Sequence, residues 1–158
     1  MLPAPGTRMQ RGDFTFTHRL RVRWAEVDRQ DVVFNANYFL YFDVAVAEYW
    51  RAIGFRYPQD IVEKFGTDIF AVKASAEYHG SATYEDELDV GCRVGRIGRS
   101  SLQLVFGIWH GEELITSGEL VYVNVDLKTR KSAPWPDVLK AAILGYERVK
   151  PGLGAEKP

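Results

Sequence analysis

The sequence predicts an α+β fold in which a five-stranded antiparallel sheet wraps around one long central helix. Three observations carry that reading. Five separate stretches alternate apolar and polar residues with a period of two, the pattern of half-buried strands. Between the first and second of them, Asn37 to Ile53 is almost wholly apolar, with Asn37, Asp43, Glu48 and Arg51 as its only strongly polar residues. The last three strands then follow one another across short turns, which makes a meander.

Phe14 to Trp24 is the first strand: Phe14, Phe16, His18, Leu20, Val22 and Trp24 alternate with Thr15, Thr17, Arg19, Arg21 and Arg23, so one face is core and the other solvated. The helix follows, and Gly54, free to turn left-handed, stops it. A helix this apolar needs cover on most sides. Tyr57 to Asp68 reads as a loop with one helical turn near 61–65. The second strand, Ile69 to Tyr78, is expected to send Phe70, Val72, Ala74, Ala76 and Tyr78 to one face. Leu88, Val90, Cys92 and Val94 mark the third, closed by a turn over 95–100. Leu102, Leu104, Phe106 and Ile108 mark the fourth, and Gly111-Glu112 makes the hairpin into the fifth, Leu114 to about Asp126. Pro134 and Pro136 end the sheet, and Asp137 to Glu147 forms a terminal helix that Asp137 is placed to cap. An open sheet keeps an edge on each side that monomers seldom leave bare, so copies are expected to pair as a homodimer or homotetramer.

With 158 residues, 46% of them apolar, the chain supports one core. It divides into a flexible tail over 1–12, a single domain over 13–147 and a second flexible tail over 148–158. Twenty Lys and Arg against 21 Asp and Glu leave a net charge of -1, which predicts no affinity for nucleic acid or an anionic bilayer. No secretory signal is visible and no stretch approaches the ~18 apolar residues of a membrane span, so a cytoplasmic protein is expected. Cys92 is the lone cysteine and reads as an inert core thiol. His18, His79 and His110 have no metal-ligand spacing, so no metal is expected. A Gly-x-Ser-x-Gly elbow is absent too.

Chemistry concentrates between Asp28 and Tyr38, where a carboxylate sits in a short loop just ahead of the helix. The unsatisfied N–H groups and positive end of a helix stabilise a developing oxyanion, and a carboxylate across from it can attack a carbonyl or deprotonate water. Asp28, Val32-Val33-Phe34, Asn35-Ala36-Asn37-Tyr38 and Tyr41-Phe42-Asp43 resemble the signature of the hotdog-fold acyl-CoA thioesterases of the 4-hydroxybenzoyl-CoA thioesterase family. The strand and helix order extends that resemblance over about residues 14–136.

The resemblance implies a hotdog fold and hydrolysis of an acyl-CoA thioester to free acid and coenzyme A, with no cofactor beyond the coenzyme A of the substrate. It makes Asp28 the catalytic carboxylate, as nucleophile or general base, and gives the Asn35 backbone N–H the task of polarising the carbonyl. Val33, Phe34 and Tyr38 become candidates for lining the substrate, although the helical spacing of Tyr38 suits core packing. His79 is a candidate because the family often brings the end of the second strand to the substrate. Arg96, Arg99, Lys128 and Arg130 sit in two basic turns of the kind the phosphates of coenzyme A need. Two departures stand out: Asp31 occupies a position where many relatives have Gly, and Val46 one where some have Arg. Asp tolerates a left-handed backbone less well than Gly. A hotdog hydratase or dehydratase is a rival, but its usual His has no counterpart between His18 and His79; a non-catalytic acyl-CoA binder is the other.

Overall fold

A computed structural model describes residues 9–154. The elements run β1 (Phe16–Arg21), α1 (Asn37–Ala52), β2 (Thr67–Tyr78), β3 (Glu87–Ile97), β4 (Ser101–His110), β5 (Glu113–Asp126), α2 (Asp137–Tyr146) and β6 (Gly152–Leu153). The sheet is ordered β1-β3-β4-β5-β2, every neighbour antiparallel, with α1 against one face. This is the hotdog arrangement the sequence predicts, with a sixth strand added: β6 pairs in parallel with the end of β3.

The core forms where two periods meet. Leu88, Val90, Cys92 and Val94 of β3 and Leu102, Leu104, Phe106 and Ile108 of β4 turn one face of the sheet toward Tyr41, Phe42, Ala45 and Tyr49 of α1, all of them buried. Phe42 stacks on Phe106 with ring centroids 4.4 Å apart. Room for that ring comes from Gly118 on β5, where a Cβ would lie 2.6 Å from it. Gly54 ends α1 with φ 95° and Gly111 turns the β4–β5 hairpin with φ 58°, both left-handed as expected.

Four local expectations are corrected. Phe14 lies outside β1 and packs on the opposite face of the sheet, against Trp109, Val105 and Leu114. Trp24 leaves the strand in a short 3-10 turn, Trp24–Glu26, and is 73% exposed. In β2 a bulge between Ala71 and Lys73 breaks the alternation, so Phe70 and Val72 are exposed while Ile69 and Ala76 meet the core. Asp137 does not cap α2; its exposed carboxylate pairs with Lys140 instead. On α1, Leu40 and Val44 are about half exposed, so the cover its composition demands is incomplete in one copy.

Past Glu147 the chain, read from sequence as a tail, is tied to the sheet. Arg148 donates its N–H to Thr15 Oγ1 and its guanidinium to the Gly12 carbonyl, and Gly154 donates to Ile97. Between the last β1 partner on β3, Cys92, and the first β6 partner, Arg96, the edge of β3 has no strand beside it among the described residues. The buried Glu147 carboxylate fills that gap, accepting the Val94 N–H at 3.0 Å and the Tyr49 hydroxyl at 2.6 Å. At the other end, Arg11 of the segment read as an N-terminal tail reaches Asp89 at 2.7 Å. Residues 1–8 and 155–158 lie outside the described residues.

Candidate active site

The loop from Glu26 to Asn37 folds on its own hydrogen bonds. Asp28 N–H donates to the Val32 carbonyl and Asp31 N–H to the Asp28 carbonyl, closing a tight turn. Asp31 takes φ 62° there, the left-handed conformation that explains why glycine suits the position. Val27 and Val33 pair across the loop, Val33 N–H donates to Ala82, and Thr83 Oγ1 donates to the Asp31 carbonyl. Asp28 is half-buried. Its Oδ1 accepts the Gln30 N–H at 2.7 Å, which fixes the carboxylate and leaves Oδ2 without a partner among the described residues.

α1 then begins without a side-chain cap. Asn37, Tyr38 and Phe39 N–H groups turn back onto Phe34, Asn35 and Ala36 carbonyls, while those of Asn35 and Ala36 donate to no acceptor among the described residues. The end of β2 steadies this corner, since Tyr78 donates its hydroxyl to the Asn35 carbonyl at 3.0 Å. Asn37 does more than start a helix: its Nδ2 donates to the Glu26 carbonyl at 2.9 Å. Asp28, Asn35, Phe34 and Tyr38 thus share one neighbourhood at the mouth of α1. Phe34 is about half exposed, whereas Val33 and Tyr38 are buried, Tyr38 against the rings of Tyr41 and Tyr78. Burial raises the Tyr38 hydroxyl above its ordinary pKa.

The remaining sequence-predicted residues are elsewhere. Strand alternation that aims Tyr78 at α1 aims His79 at the opposite face, where its Nε2 meets Ser117 Oγ at 2.8 Å. Arg96 lies in the last residues of β3 and Arg99 just beyond it, and Lys128 and Arg130 follow β5, with Arg130 lying 6.0 Å over the Phe70 ring. That is where β2 starts, Thr67 opposite Asp126, whereas the mouth of α1 lies where β2 finishes. The 16-residue α1 separates the two ends by about 24 Å. Within one copy the basic turns are therefore remote from Asp28.

A cavity of about 390 Å³ opens between α1 and β2. Its floor is Val46, Trp50, Ile69 and Tyr122, with exposed Asp43 and Arg51 beside them, and none of the sequence-predicted site residues lines it. Burial and then the Asp43 carboxylate push the Tyr122 hydroxyl up to about 12. The apolar arc of α1 reads from sequence only as a surface that needs cover, and the bulged, exposed β2 leaves this part of it as a cavity wall. Among the described residues no cluster of His, Cys, Asp and Glu could hold a metal ion, and no helix is long and apolar enough to cross a membrane.

Residues 22–143, which span the Asp28 loop, α1 and the sheet, match the thioesterase-like superfamily. The chain belongs to that superfamily. This thioesterase-like protein is 32% identical over 84 residues to a putative esterase of Aquifex aeolicus, an alignment that covers 53% of the chain and 64% of that relative, less than two thirds of its length. A 1,4-dihydroxy-2-naphthoyl-CoA thioesterase from Synechocystis superposes with a TM-score of 0.75 at 22% identity, over 81% of this chain and 94% of that one. A DHNA-CoA thioesterase from Staphylococcus aureus gives 0.72 at 25% identity, over 79% and 86%. Another S. aureus protein, solved in complex with CoA, gives 0.77 at 19% identity, over 90% and 89%.

Proposed function

We propose that the protein is a cytoplasmic acyl-CoA thioesterase of the 4-hydroxybenzoyl-CoA type, hydrolysing the thioester to free acid and coenzyme A with no cofactor. One observation carries this reading: the uncapped start of α1, with two unpaired N–H groups, stands on the same short loop as a carboxylate held by Gln30. The thioester oxygen lies against the Asn35 N–H, whose dipole favours the charge that builds there. Asp28 Oδ2 acts from the other side, adding to the carbonyl carbon or removing a proton from a water that does so. The carbon–sulfur bond then breaks, and coenzyme A leaves as thiolate to take up a proton; where Asp28 itself adds, a water then hydrolyses the acyl–Asp28 anhydride to the free acid and restores the carboxylate.

A second copy resolves the remoteness of the basic turns. β2 is an edge strand with Val72 exposed, and pairing it with the β2 of a second copy about a two-fold axis makes the strands antiparallel. Antiparallel pairing sets the start of each β2 beside the finish of the other. Lys128 and Arg130 then flank the α1 mouth of the other copy, where coenzyme A phosphates need cations, and the 390 Å³ cavity opens toward it with room for a short or ring-sized acyl group. Leu40 and Val44 gain their missing cover in the same step.

The test is Asp28→Asn in a thiol-release assay over short, medium, long and aromatic acyl-CoA esters. Hydrolysis falls by about 10²–10⁴-fold while ligand affinity holds. Hydrolysis at the wild-type rate removes the mechanism, and a wild-type chain that binds esters without turnover makes it a binding protein.

A further inference from the structure

We infer that Glu26 is the positioning residue of this site, acting through the loop and helix rather than on the substrate; this rests on the assignment of Asp28 and Asn35 above. Glu26 is only 7% exposed and lies outside the sheet, at the end of the 3-10 turn Trp24–Glu26. Its side chain reaches both ways. Oε1 accepts the Arg23 N–H at 2.7 Å and the Tyr41 hydroxyl at 3.1 Å, and Oε2 accepts Arg23 Nε and a terminal guanidinium nitrogen at 3.1 and 3.0 Å.

Its main chain reaches the same helix independently. The Glu26 carbonyl accepts the Phe34 N–H and Asn37 Nδ2, each at 2.9 Å. One residue therefore holds the entrance of the Asp28 loop through Arg23, its exit through Phe34, and α1 at both its first turn and its second, through Asn37 and Tyr41. Phe34 immediately precedes Asn35, and Val27 alone separates Glu26 from Asp28. The separation between attacking carboxylate and polarising N–H is thus set by two short chain segments pivoting on Glu26.

Each side-chain partner of Glu26 lies between Arg23 and Tyr41, so loosening it acts first on this loop and the first two turns of α1 and reaches the core only through Tyr41. Arg23 has a side chain 77% exposed, so removing the Glu26 charge strands no buried cation. Loop displacements of about 1 Å cost reactions of this kind about a hundredfold in rate, because near-attack geometry is lost while binding survives. Such an effect appears in kcat and leaves KM in place.

The experiment compares wild type, Glu26→Gln, Tyr41→Phe, the double variant and Asp28→Asn on acyl-CoA esters, with a melting curve for each. Glu26→Gln lowers kcat about ten- to a hundredfold, with KM within about threefold and the melting temperature within a few degrees. Tyr41→Phe gives a smaller loss of the same kind, and because the glutamine oxygen still accepts the Tyr41 hydroxyl while Glu26→Gln weakens the Arg23 pair, the double variant loses more than Glu26→Gln alone. Should Glu26→Gln fail to fold, Tyr41→Phe keeps the Glu26–Arg23 pair and decides by the same split of kcat from KM. Wild-type kcat in Glu26→Gln beside an inactive Asp28→Asn overturns the positioning role and leaves the enzyme assignment standing. A fall in kcat matched by raised KM and a lowered melting temperature also overturns it, as general loosening. Wild-type turnover in Asp28→Asn, or none by the wild-type chain on any ester, overturns the two together.

Discussion

Replacing Glu147 by alanine leaves two buried donors, the Val94 N–H and the Tyr49 hydroxyl, without an acceptor. Each orphaned group costs about 1–3 kcal/mol, and the lost packing adds about 1 kcal/mol, so Glu147→Ala should destabilise the fold by about 3–7 kcal/mol. Glutamine keeps the acceptor and removes the charge, which makes its effect a function of pH. Burial raises the Glu147 carboxyl above its ordinary 4.5 against the opposing bonds from Tyr49 and Val94 and the charges of Arg93 and Lys150. The folded chain therefore holds a proton that the unfolded chain releases. Stability from this group is complete below about pH 4.5 and is lost as pH rises through the folded pKa, at about 1.4 kcal/mol per unit of difference. Urea unfolding at pH 5 and pH 8 reads this directly: wild type should lose ground to Glu147→Gln at the higher pH. A gap that is the same at both pH values, or an alanine cost under about 1 kcal/mol, would refute the reasoning.

Asp31→Gly relieves a left-handed backbone while keeping the carbonyl that Thr83 grips, and should add about 0.5–1 kcal/mol in a thermal melt; a loss would show that its carboxylate carries stability. Hydrogen bonds from Arg19, then from Arg11, hold the Asp89 carboxyl down at about 2, so its contribution is present above about pH 4 and fades as pH falls toward 2. Asp89→Asn should cost about 1–2 kcal/mol at pH 7, allowing for the exposure of Arg19, and flatten the acid limb of the stability curve. Val72→Glu puts like charges on the β2 edge proposed to pair, at a side chain already 61% exposed, and should give monomers on size exclusion with little hydrolysis. Elution with the wild-type oligomer would argue against edge pairing.

Element order was legible because β3 keeps a period of two from Leu88 to Val94, β4 keeps it from Leu102 to Ile108, and α1 carries a broad apolar arc. Where that failed, a local event hid from periodicity: the Ala71–Lys73 bulge exchanged the faces of β2, and Phe14 served a second, outer cluster. Glu147 left no sequence signal, since the gap it fills exists only after β1 and β6 flank β3. At the site, the acid, the helix mouth and the left-handed Asp31 could be read from adjacent residues. His79 was misplaced because one step along a strand reverses its face. The end of the sheet that the basic turns occupy could not be read, because it depends on pairing between distant strands.

The strand order also dictates a schedule for folding. α1 is translated before β3, β4 and β5 supply the surface that shelters its aromatic rings, and β2 waits for β5, its partner across the whole β3–β4 hairpin. A nascent chain carries Tyr41, Phe42, Tyr49 and Trp50 unprotected until β3 and β4 have been made, an interval in which exposed apolar rings invite aggregation.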